Sequence, residues 1–349
     1  MTERNVSEET KIPSFKKVCV KLGIMMIVVY LSRMLITVVS PFIAPLFENM
    51  DIVAVYAIDS LLSFVFLYII PITATLILFK PKREFNKEIY KKPVYFGSAM
   101  GMFPAIYGVS IFANMLTILI SMLFAETDLN ESFNTVNELE PPNLPCALIL
   151  FFQLFVIAPI FEEYWFRGIV MENLRPYGNG FAIFVSALLF GCTHANLGQL
   201  FYTTIMGICL GYIAISTKSI ITTTIMHALF NSISGIMLIM MTFEDVQDYL
   251  LETDSGIAKE PQGWAIVFVV FLCCMMLLML IGAFMAIWKI KKIKKYKVPK
   301  VWTELSTAKR WGVFFSRVTV IIMLVLAVDT MTFQYIPRVI YSLISGEPI

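Results

Sequence analysis

The chain has 349 residues, 58% of them hydrophobic and 15% charged, with a mean hydropathy of +0.78 and a formal net charge of +2. A typical soluble domain is about 45–50% apolar and about 25% charged, so this composition excludes an ordinary water-soluble globule, and no nucleic-acid partner is expected. The apolar excess is gathered into long blocks, which predicts an all-α, polytopic transmembrane helix bundle with membrane lipid around it.

Taken in chain order, the polar start MTERNVSEETKIPSFKK precedes an apolar block with no small-residue cleavage site, so the first span is expected to be retained rather than removed as a signal peptide. Nine candidate spans follow, at roughly 22–45, 52–79, 93–124, 145–166, 180–196, 198–216, 219–241, 264–288 and 316–337. The fifth and sixth are short against the ~20 residues a crossing needs. These divide the chain into amino-terminal helices (1–140), a central core (141–241) and carboxy-terminal helices with a basic loop (242–349).

Charge in the links sets an orientation. Lys11, Lys16, Lys17 and Lys21 precede the first span; Lys80, Lys82, Arg83, Lys87, Lys91 and Lys92 follow the second; Lys289, Lys291, Lys292, Lys294, Lys295, Lys297 and Lys300 follow the eighth. The links at 126–142 and 242–263 carry between them only Lys259 as a Lys or Arg. Basic segments stay on the cytoplasmic side. Nine spans put all three basic stretches there, in a multi-pass cell-membrane protein with a cytoplasmic amino terminus. The six cysteines (Cys19, Cys146, Cys192, Cys209, Cys273, Cys274) show no CxxC spacing and read as small apolar residues. Gly207 and Gly211 form a GxxxG suited to close helix packing. Arg33 and Asp59, in the first two spans, are candidate partners.

Polar residues inside the apolar blocks are expensive and so informative. The segment FEEYWFRGI (161–169) places Glu163 and Arg167 four apart on one helical face, in the favourable order for an ion pair. Glu162 is rotated by ~100° from Glu163 and has no partner in its own turn. The chain's only two histidines, His194 in FGCTH and His227 in HALFN, also lie in apolar segments, with Phe190 one turn before His194 and Asn231 one turn after His227. A carboxylate, two imidazoles and an amide can activate water and stabilise an oxyanion. The same Glu162, His194 and His227 can equally be read as ligands of a catalytic zinc with water in the fourth position, although no HExxH is present. Taken one at a time, each motif is also compatible with interhelical hydrogen bonding alone.

These motifs, in this order on successive hydrophobic segments, resemble the CPBP family (CAAX proteases and bacteriocin-processing enzymes, also called ABI), which includes the type II CAAX prenyl endopeptidases. Its EExxxR is matched by Glu162, Glu163 and Arg167, its FxxxH by Phe190 and His194, and its HxxxN by His227 and Asn231, over roughly residues 145–241. The resemblance implies an intramembrane endopeptidase acting on a membrane-associated or lipidated protein or peptide, with a cavity reached from the cytosolic side. It implies that Glu162 and His194 activate water and that His227 and Asn231 form the oxyanion hole. A non-catalytic membrane protein on the same scaffold, a transporter or an immunity protein, is the other reading; oligomeric state is left open. One difficulty stands. If the fourth span ends near Arg167, Glu162 is only ~8 Å deep, whereas His194 is ~21 Å along the next helix from Gly180. Tilt, a re-entrant path or a deeper motif helix must bring them level.

Overall fold

In the computed structural model the described residues are 8–124, 141–254, 260–290, 305–332 and 335–346. Most of the acidic link at 126–142 and of the basic stretch after residue 289 lies outside them. The described elements are helical throughout. They are α1 (Glu8–Ile43), α2 (Ile52–Phe79), α3 (Phe103–Ser121), α4 (Leu144–Tyr177), α5 (Asn179–Cys192), α6 (Leu197–Thr217), α7 (Ile221–Met240), α8 (Glu244–Asp254), α9 (Trp264–Ile290), α10 (Thr307–Phe315), α11 (Val318–Met331) and α12 (Tyr335–Ser345), with short turns of helix in the α2–α3 link.

Among the described residues seven helices are long and apolar enough to cross a membrane, or eight if α10 and α11, bent by 74° at their junction, count as one. The chain is thus a multi-pass membrane protein, but with fewer spans than the nine expected. The difference lies chiefly in α5. Its 14 residues make about 21 Å of helix, short of the ~30 Å hydrocarbon core. Most of α5 is buried against protein, which is the setting in which a helix can end at membrane depth. Its last carbonyls are taken by α1: the Tyr30 hydroxyl donates to the Cys192 carbonyl at 3.1 Å, and Arg33 Nη2 donates to the Thr193 carbonyl at 2.6 Å. A cation at a helix carboxyl end is also favoured by the helix dipole.

α5 and α6 form a hairpin that dips into the bundle and returns. Their close approach rests on small residues: a methyl group added at Gly207 would lie 2.9 Å from Ala187 Cβ, and one at Gly211 would lie 3.2 Å from Ile183 Cγ2. α3 and α9 cross just as closely, for a methyl group at Gly282 would run into the Pro104 carbonyl. The first two basic segments, at residues 16–21 and 80–92, sit at one end of the bundle. There the Val94 N–H donates to the Thr217 carbonyl (3.0 Å), the Ile220 N–H donates to the Ile89 carbonyl (2.9 Å), and the Tyr177 hydroxyl bonds Ser14 of α1 (3.0 Å). Because α5 leaves that end and α6 returns to it, α7 starts from the same end whether or not the pair is counted as crossing.

Candidate active site

The site is assembled by helices that depart from regular α geometry. α4 contains a π-turn at Gln153–Ile157, followed at once by Pro159, and α2 contains one at Val65–Ile69, followed by Pro71. The two are built alike. In each, a five-residue hydrogen bond forms, Ala158 N–H to the Gln153 carbonyl and Ile70 N–H to the Val65 carbonyl. The next bond in each series would have to come from a proline, which has no N–H. Proline therefore leaves one carbonyl open in each helix, at Leu154 and at Phe66. A side chain from a neighbouring helix fills each gap: Asn231 Nδ2 of α7 donates to Leu154 at 2.9 Å, and the Ser32 hydroxyl of α1 donates to Phe66. Single π-turns of this kind are common at functional sites.

A third π segment, Glu163–Met171, carries the EExxxR motif on towards Tyr177. Glu163 is fully buried, with Oε1 2.8 Å from Arg167 Nη1 and 3.0 Å from His227 Nδ1. The Arg167 guanidinium also lies over the Phe190 ring, 4.5 Å from its centroid. Glu162 is 14% exposed; its Oε2 is 3.6 Å from His227 Nε2, and its Oε1 accepts a 2.8 Å hydrogen bond from the Tyr68 hydroxyl. His227, itself 2% exposed, thus bridges the two adjacent glutamates. His194 turns Nδ1 towards the Phe190 carbonyl at 3.0 Å and lies within electrostatic reach of Glu162, His227 and Arg33. Phe190 stands edge-on between the imidazoles, 5.0 Å from His194 and 5.7 Å from His227 between ring centres.

Glu162, Glu163, Arg167, Phe190, His194 and His227 therefore share one cluster, and Asn231 lies one turn from His227 with one amide proton on Leu154. The difficulty over depth is met by the longer motif helix. α4 does not stop near Arg167 but continues to Tyr177. Measured from the turn between α4 and α5, Glu162 is fifteen residues back from Tyr177 and His194 sixteen beyond Gly178, arms of about 22 and 24 Å. Ser186 of α5 fixes that register by donating to the Phe166 carbonyl at 2.8 Å.

Two site residues carry no mark of their role in the sequence. Tyr68 reads as one apolar aromatic among many, and Arg33, a candidate partner for Asp59, reaches the turn before His194. The available signal is Pro71 and Pro159 inside apolar spans, where each implies a carbonyl in search of a donor. As for zinc, among the described residues no three His, Cys, Asp or Glu side chains gather as a metal-holding group. Both ring nitrogens of His227 face carboxylates, and Nδ1 of His194 faces a carbonyl. As placed, Glu162, His194 and His227 do not fit a tetrahedral ligand set, and the chemistry is derived from the side chains alone.

Fold and cluster define a multi-pass helical membrane protein with a Glu–His site set among its helices. Residues 144–233 match the family model described as type II CAAX prenyl endopeptidase Rce1-like, so about a quarter of the chain is similar to that family. Among curated proteins it is similar to "Putative membrane peptidase YdiL" of Bacillus subtilis (strain 168), with 32% identity over 96 residues, 27% of this chain. The aligned stretch spans 38% of that relative's length. No solved structure matches the chain.

Proposed function

We propose that the protein is an intramembrane endopeptidase that cleaves a peptide bond of a membrane-associated or lipidated protein or peptide, using water activated by Glu162. The observation that carries this reading is the convergence of the motif side chains: His227 touches both glutamates, and Phe190 packs against both histidines. A Glu–His site placed inside an apolar bundle is costly unless used.

In the proposed reaction, water lies between Glu162 and His194. Glu162 takes its proton as the oxygen attacks the scissile carbonyl carbon, and the carbonyl oxygen becomes an oxyanion. His227, held at Nδ1 by Glu163, is assigned to the oxyanion through Nε2. Asn231 has two amide protons, and the one not on Leu154 is assigned to the oxyanion. Glu162 then returns its proton to the leaving amine. Donors held in advance in a dry site supply about 10²–10³ in rate each. The positive-inside rule makes the basic end of the bundle cytoplasmic in this reading, and substrate enters from that side.

The test is replacement of Glu162 by Gln, which keeps the shape and removes the base. Peptides released from membranes carrying wild-type protein or E162Q are compared by mass spectrometry. Products formed by wild type are expected to be lost in a normally folded E162Q, since general-base removal costs about 10²–10⁴ in rate. The same products at the same rate from E162Q would overturn the reading and favour a binding or transport scaffold.

A further inference from the structure

We infer that α1 and α2, which lie outside the segment matched by the family model, are part of the catalytic apparatus, with Tyr68 as a positioning residue for Glu162. The inference rests on the reading above, in which Glu162 is the base.

Glu162 is the less buried of the two motif glutamates and lacks the ion pair that fixes Glu163. A carboxylate hinged on three rotatable bonds serves as a base only if one oxygen is held so that the other faces water. The Tyr68 hydroxyl does this at 2.8 Å on Oε1, leaving Oε2 on the His227 side. Tyr68 is itself fixed at two levels. Its ring packs against Phe64 and Phe161, with centroids 5.8 and 6.0 Å away. Its backbone belongs to the π-turn whose open Phe66 carbonyl is taken by Ser32. Tyr30 and Arg33, neighbours of Ser32 on α1, hold the Cys192 and Thr193 carbonyls next to His194. One stretch of α1, residues 30–33, thus braces both the turn that presents Tyr68 to the base and the turn that presents the histidine. Misplacement of a reacting group by about 1 Å can lower a rate by 10²-fold.

The test uses the full chain in nanodiscs and begins with a readout that needs no substrate. The infrared carboxylate band of Glu162 is isolated as the difference between wild type and E162Q. In Y68F that band is expected to be displaced, because its hydrogen-bond donor is gone. In Y164F it is expected to stay in place, since the Tyr164 hydroxyl bonds Asn86 instead. S32A, which opens only the Phe66 carbonyl, is expected to broaden or shift the same band and serves as the second variant if Y68F fails to fold. A Glu162 band in both Y68F and S32A that superimposes on wild type would overturn the inference. In the membrane peptide assay, Y68F is expected to slow formation of the same products by about tenfold to a hundredfold without lowering protein abundance. Full turnover by Y68F beside an inactive E162Q would sink the role of Tyr68 and leave the protease reading intact; turnover by E162Q would sink the protease reading itself.

Discussion

The Glu163–Arg167 pair gives the sharpest test of how this bundle tolerates charge. Both side chains are out of contact with solvent, at 0% and 1% exposure, and 2.8 Å apart. Replacing Arg167 by Met leaves the buried Glu163 carboxylate without its guanidinium; replacing Glu163 by Gln leaves the guanidinium over Phe190 without the carboxylate it pairs with. Removal of one partner from a buried pair costs about 3–5 kcal/mol, and R167M also forfeits a desolvated cation–π contact worth about 2 kcal/mol. Against a total stability of about 5–15 kcal/mol, each single variant should be markedly less stable and less abundant. The double variant E163Q/R167M strands no charge, and the amide oxygen of the introduced glutamine can still accept from His227 Nδ1. It should be more stable than either single variant, with a coupling of about 2–3 kcal/mol. The assay is the fraction remaining monodisperse in detergent after heating, measured for all four proteins of the cycle. Single variants as stable as wild type, or a double variant worse than both, would refute the claim that this pair serves chiefly to neutralise buried charge.

The other expectations are more local. N231A should lose about 10²–10³ in turnover if its amide meets the oxyanion, and in addition about 1–3 kcal/mol of stability, because the Leu154 carbonyl is left unpaired; kinetics and thermal stability separate the two effects. G282A should destabilise by about 1–3 kcal/mol or more by pushing α9 off Pro104, whereas G180A, whose added methyl group meets nothing within 4 Å, should be neutral or slightly stabilising in the same thermal scan. Purified protein treated with a chelator and freed of metal by elemental analysis should retain its turnover; activity lost on chelation and restored by zinc would overturn the carboxylate mechanism.

Much of this architecture is legible in the sequence because the bilayer simplifies the problem. Long apolar blocks become helices, having no other way to satisfy their backbone, and spacings of four place Glu163 with Arg167 and Phe190 with His194 before any tertiary contact is considered. What is not legible depends on distance in the chain. A hydropathy window does not distinguish a 14-residue helix sheathed in protein from a short span, so α5 reads as a crossing. Nor does it show that a motif helix continues past its charges: the Glu163–Arg167 pair, neutral as a unit, lets α4 run buried through Met171, where an isolated charge would have marked an end. Contacts between residues as far apart as Tyr68 and Glu162 carry no local signal at all.

The prolines offer a more general route to such contacts. A proline inside a span removes one donor, and in a bilayer water does not replace it, so some other helix must supply one. Pro71 and Pro159 each open a carbonyl five residues earlier, and the donors that arrive, Ser32 and Asn231, come from helices that also carry site residues. The backbone defect and the site are thus linked by the same bonds. Asn231 reaches the cluster partly because Leu154 needs a proton, and Tyr68 is aimed at Glu162 by a turn that exists because Pro71 cannot donate. A variant that restores the missing N–H, P71A, should therefore act in two places. The π-turn at Val65–Ile69 can then relax towards regular helix, rotating Tyr68 away from Glu162, while the Ser32 hydroxyl loses its open acceptor. The chain would gain helix propensity of about 3 kcal/mol at that position and lose the alignment of its base. P71A protein that is more heat-stable yet turns over more slowly would show that the defect is kept for the site; equal or greater turnover would show that the proline serves packing alone.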